Sequence, residues 1–147
     1  MTKKIFLTAL TSVFLFLTSC TTYYISLDSF KQQFTGIDST KLKSVVVQGP
    51  MYERYNYNAN PIKTIKCADD LNNPVELKNS PSIEIRITHG YKNKRTVFYF
   101  DRIYVNKNSV FGVKSRFMDF ITQSISLDSI TKIEVQDGHK KFSYVDK

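Results

Sequence analysis

The chain has no tryptophan, two cysteines, two histidines, five glycines and four prolines in 147 residues. Each scarcity excludes something. Cys20 and Cys67 allow at most one intrachain bridge, so this is no disulfide scaffold. So few glycines exclude a collagen-like or linker-like chain. No apolar run approaches the roughly twenty residues that a membrane-spanning helix needs. The sequence also lacks the G-x-S-x-G elbow, the H-E-x-x-H helix, the C-x-x-C pair and the glycine-rich phosphate loop. His89 and His139 stand fifty positions apart, which gives no zinc-binding spacing, even with Cys67 added. Asp69, Asp70 and Asn72 are oxygen donors in one loop, but Pro74 takes a ligand position and no bidentate Glu follows. No metal or cofactor is expected, and no enzyme.

Aromatic residues are abundant, at 14% of the chain with nine Tyr and eleven Phe, and apolar residues reach 41%. Together with many β-branched residues this describes one folded domain of mainly β character. Its expected form is a small antiparallel sheet or a partly open SH3-like barrel, with one short N-terminal helix. The barrel is a fold analogy drawn from residues 82–146, and fold alone does not give function. Charge is +8, from 21 Lys and Arg against 13 Asp and Glu, which favours anionic partners.

The first twenty residues carry the most specific signal. Lys3 and Lys4 precede residues 5–17, thirteen positions without a charge. That length fits the apolar core of a signal peptide. Leu17-Thr18-Ser19-Cys20 follows, with an aliphatic residue three before Cys20 and two small residues next to it. This pattern resembles the lipobox of bacterial lipoproteins. The resemblance covers residues 1–20 and implies cleavage between Ser19 and Cys20, an S-diacylglycerol on the Cys20 sulfur and an N-acyl chain on its new amine. The alternative is a plain secretory leader. Two or more acyl chains hold a protein stably on a bilayer, whereas one does not. Loss of Lys3 and Lys4 with the leader lowers the net charge to +6. No Asp follows Cys20 and no acidic cluster succeeds it, so the resemblance implies the outer membrane, facing the periplasm. An exported chain is not expected to meet nucleic acid, although Lys92, Lys94, Arg95, Lys140 and Lys141 cluster in turns. Residues 20–26 are read as lipidated N-terminus and tether, and residues 27–147 as the domain.

Leu27, Phe30 and Phe34 recur at helical spacing, with Ser26 or Asp28 as N-cap and Gly36 as stop. Residues 44–48 read as a strand ended by Gly49-Pro50. Residues 62–67 and 75–77 read as strands around a polar turn. Ile83, Ile85 and Ile87 alternate with polar residues, the mark of a half-buried strand. Residues 96–105 are apolar on both faces except Asp101-Arg102, which reads as a covered central strand with a bulge. Phe117, Met118, Phe120 and Ile121 read as a segment packed across one end, and Asp137-Gly138 as a hairpin turn into residues 141–145. Glu84 and Asp101 are expected to pair with Arg86 and Arg102 rather than with each other.

Residues 51–61 hold three Tyr and three Asn within nine positions. Tyr52, Tyr55, Tyr57 and Asn58 offer flat apolar faces and hydroxyl-binding tips suited to sugar rings. The plainer reading is an edge strand entering an Asn-Pro turn. The functional expectation is therefore a lipid-anchored envelope protein with a binding or scaffolding domain, its partners envelope proteins or glycan. A glycan or anionic-polymer binder using residues 52–60 is the alternative, and an enzyme of unrecognised type the third. Cys67 reads as a small buried apolar side chain.

Overall fold

The computed structural model describes residues 21–118 and 120–145. Cys20 and the whole leader lie outside the described residues. The fold is mainly β with one short helix, and its antiparallel sheets stay open, none closing into a barrel.

Strand β1 (Thr22–Tyr24) occupies part of the stretch expected to be tether. The helix α1 (Leu27–Gln33) follows, with Ser26 as its N-cap accepting a hydrogen bond from the Ser29 amide at 3.2 Å. Then come β2 (Lys43–Gln48), β3 (Arg54–Ala59), β4 (Thr64–Ala68), β5 (Pro74–Lys78), β6 (Ile83–His89) and β7 (Lys94–Tyr99). The rest are β8 (Ile103–Asn106), β9 (Ser109–Val113), β10 (Thr122–Ser126), β11 (Ile130–Asp137) and β12 (Ser143–Val145).

Six strands form the main sheet in the order β5-β4-β1-β11-β6-β7, and two three-stranded sheets are ordered β10-β9-β8 and β12-β2-β3. Register explains the core. Val135, Ile85 and Phe98 stand opposite one another across β11, β6 and β7, and all are fully buried. The neighbouring row Gln136–Glu84–Tyr99 faces the other way, as strand alternation requires. On that polar face Lys132 and Arg95 pair with Glu134, and Lys140 pairs with Glu84 at 2.6 Å. Phe30 and Phe34 of α1 cover the apolar face, with Phe34 5.6 Å from the Phe100 ring. Gln33 extends the sheet chemistry from the helix. Its amide donates to the Lys66 carbonyl at 2.9 Å and accepts from the Lys66 amide at 2.8 Å, in the manner of a neighbouring strand.

Three expectations need correction. Residues 96–105 are two strands, not one. β7 is the edge of the six-stranded sheet, and a turn of 3-10 helix at Phe100–Arg102 carries the chain into β8 of another sheet. The apolar character of both faces is real, because the corner is buried between sheets. Asp137-Gly138 does not close a hairpin. The Asp137 carboxylate accepts from the Ser82 hydroxyl at 2.7 Å and the His139 amide at 2.8 Å, and β12 crosses over to pair with β2. Phe117, Met118 and Phe120 are exposed at 63%, 43% and 79% instead of packing across the core. Residues 51–61 follow the edge-strand reading, since β3 has β2 as its sole neighbour.

Candidate functional site

The three sheets meet at Asp101. Its carboxylate is fully buried and accepts from Tyr57 Oη at 2.5 Å and Tyr144 Oη at 2.9 Å, both on Oδ2. Oδ1 has no hydrogen-bond partner among the described residues. The Arg102 guanidinium lies 4.5 Å above the Tyr57 ring and donates to the carbonyls of Ser115 and Arg116. Arg116 stacks between Tyr99, at 4.0 Å, and Phe142, at 4.4 Å, and donates to the Pro81 carbonyl. Burial drives the Asp101 carboxyl above the usual carboxylate range, outweighing the two tyrosine hydrogen bonds and the arginines. The same burial, with the Asp101 charge beside them, pushes the Tyr57 and Tyr144 hydroxyls up, so both remain donors. Asn60 completes the corner: its side-chain amide donates to the carbonyls of Phe100 at 2.7 Å and Ile103 at 3.1 Å.

Tyr144 also forms one wall of a groove of about 310 Å³ between β2, the end of β3 and the β4–β5 hairpin. Val45, Ala59, Pro61 and Ile62 supply apolar lining, and Lys43, Lys63 and Lys78 bring three exposed ammonium groups. Asn79 lines the groove and is 6% exposed; its amide nitrogen donates to Ile62, while Oδ1 has no partner among the described residues. Such a site suits a ligand carrying both an anionic group and a hydroxyl or amide donor.

The four residues expected to bind ligand do not converge. Tyr57 is 4% exposed and committed to Asp101, and Tyr55 is half-buried against Phe117 at 5.0 Å. Asn58 alternates to the opposite face of β3 from Tyr57 and is exposed, while Tyr52 stands in the preceding turn at 83% exposure and φ 64°. The groove residues Lys43, Lys63, Lys78 and Tyr144 come from four strands or loops and share no sequence motif. Only the alternation of Lys43 and Val45 within one strand hinted at a common face.

Other expected chemistry is likewise placed. Glu84 pairs with Lys140 and Arg86, and is remote from buried Asp101 in its partners. His89 bonds to the Thr96 hydroxyl at 2.9 Å, and burial lowers its pKa. Asp69 accepts from the Leu71 and Asn73 amides and the Asn73 side chain, so turn geometry uses its oxygens. Among the described residues no group of His, Cys, Asp and Glu could hold a metal ion. No helix among them is long and apolar enough to cross a membrane. A second groove of about 580 Å³ lies beside Tyr24, Lys66, Cys67 and Lys132. No protein-family model, curated protein or solved structure matches the chain.

Proposed function

We propose that this protein is a lipoprotein of the bacterial cell envelope, anchored through acylated Cys20, whose β domain binds or scaffolds at the membrane surface without catalysis. The observation that carries this reading is the Leu17-Thr18-Ser19-Cys20 sequence behind a charged and then apolar leader. The start of the fold supports it. Thr21 is exposed and Thr22 already pairs with Gln136 in the main sheet, so the described chain begins at the domain surface, where an anchored chain would need to begin. The mature protein belongs at the outer membrane, facing the periplasm. Mass spectrometry of the membrane-extracted protein tests this: the mature chain starts at Cys20 and carries diacylglycerol and acyl mass, and Cys20→Ala abolishes both. An unmodified protein free in the periplasm would sink the idea.

A second reading is favoured by the lysine-bearing groove: binding of an anionic, hydroxyl-rich envelope polymer. It moves the glycan site from Tyr52, Tyr55, Tyr57 and Asn58 to Lys43, Lys63, Lys78 and Asn79. Retention on an immobilised anionic glycan falls when Lys63→Glu and Lys78→Glu are combined, with unfolding temperature unchanged. Retention equal to wild type removes this reading.

A further inference from the structure

We infer that the domain docks face-down on the bilayer through an aromatic edge formed by Phe117, Met118 and Phe120 and the turn between β2 and β3. This rests on the lipid-anchored reading and names the surface that the anchored domain presents. Five of the ten exposed large hydrophobic residues among those described are Met51, Tyr52, Phe117, Met118 and Phe120. They fall on two segments that meet in space, because Phe117 packs edge-on against Tyr55, three residues beyond Tyr52. Exposed apolar clusters of this kind mark interaction surfaces.

Register locates this edge relative to the anchor. Thr22, Gln136, Glu84 and Tyr99 form one cross-strand row through β1, β11, β6 and β7. The row marks one end of the main sheet, where β1 and β6 begin and β7 and β11 finish. Three interstrand steps span about 14 Å. At the far end of the row, Arg116 of the aromatic loop stacks on Tyr99 and bonds to Pro81, one residue before Ser82. At the near end, Cys20 lies two residues before Thr22, a reach of about 7 Å. Thr22 and the aromatic edge therefore share one end of the domain, the end nearest in sequence to an anchor at Cys20. The β6–β7 turn with Tyr91, 90% exposed, lies at the other.

Charge selects the occupant. Arg54 is next to Tyr55, Lys141 is next to Phe142, and Lys114 closes the neck of the loop by donating its amide to the Ile121 carbonyl. All three side chains are exposed, and none has an ion-pair partner among the described residues. Of the described acids, Glu53 is close by, and its carboxylate accepts from the Met51 amide. Apolar tips inside a cationic rim match acyl chains beneath anionic headgroups. The occupant is an anionic phospholipid surface.

The absence of tryptophan makes a clean test. Full-length acylated protein carrying Phe120→Trp is reconstituted on phosphatidylethanolamine–phosphatidylglycerol vesicles with brominated acyl chains, beside a Tyr91→Trp protein. Both sites are highly exposed, and circular dichroism verifies that the fold is kept. The expected result is blue-shifted, bromolipid-quenched emission for Phe120→Trp and unquenched, water-like emission for Tyr91→Trp. Acylated protein with equal, water-like emission at both sites overturns docking and leaves the anchor standing. A blue shift without bromolipid quenching that disappears on dilution assigns the edge to a second copy and also overturns docking. Protein without acyl chains that still shows quenching of the Phe120→Trp site overturns the anchor and upholds docking. Protein without acyl chains or quenching overturns both.

Discussion

Asp101 is the residue on which the interior turns, a carboxyl with both tyrosine donors on one oxygen and burial dominating its ionisation. Its folded pKa is raised, so between the ordinary value near 4 and the raised one the folded state keeps a proton that the unfolded chain has released. Stability from this group is complete below that window and is lost as pH rises through it. Asp101→Asn cannot ionise. The expected outcome is that wild-type stability falls relative to Asp101→Asn as pH rises above about 4, read from paired urea midpoints across pH. A constant difference would show that the Asp101 pKa is not raised in the fold. Cys67 behaves more simply. Its half-buried thiol donates to the Val75 carbonyl at 3.4 Å, and burial pushes its pKa up to about 11. Maleimide labelling of the folded protein should therefore accelerate about tenfold per pH unit without levelling below that value, because only the thiolate reacts. The sequence offered Ser26 or Asp28 as the cap and the structure uses Ser26, whereas Cys67, read as buried, is only half-buried; Asp101 is visible in the sequence only as a polar interruption in an apolar run. Its tyrosine partners sit 44 and 43 positions away, and no local pattern connects them.

Among the elements, the reach of sequence periodicity depends on how many faces a strand buries. β6 and α1 each bury one face, and their alternation and helical spacing place them correctly. β7 and β8 read as one strand in the sequence because a buried corner and a buried strand show the same apolar run. Asn60, Tyr57 and Tyr144 decide between the two by satisfying the corner's polar groups. Asp137-Gly138 misled for a related reason. Its side chain bonds to Ser82, and β2 supplies β12 with an edge to pair with. Gly112 tests packing at this scale. It pairs with both Ile103 and Gln123, and a Cβ there would lie 2.5 Å from the Phe98 ring and 2.9 Å from Ile103. Both neighbours are buried side chains with little room to yield. Gly112→Ala is expected to cost about 1–3 kcal/mol, seen as a lowered urea midpoint with an unchanged slope.

For the whole molecule, the chain's first described residues hold the main sheet together. β1 pairs with β11 through Thr22, Tyr23 and Tyr24 and bridges to β4 at Ala68, so it joins the β4–β5 hairpin to the rest. Deleting residues 21–24 would leave two edges unpaired. A protein so shortened is expected to lose a sharp thermal transition and to aggregate during refolding. A cooperative, soluble product would show that β1 is dispensable.

The sequence by itself determined the β-rich class, the helix with its cap, the one-faced strands and the Cys20 pattern. Each is written in neighbouring residues through periodicity, side-chain capping or motif spacing. Tertiary structure alone decided that Tyr57 serves Asp101, that Lys43, Lys63 and Lys78 share a groove, and that the aromatic loop lies at the same end of the main sheet as Thr22. Those depend on strand order and crossover, and contacts between residues tens of positions apart leave no local trace.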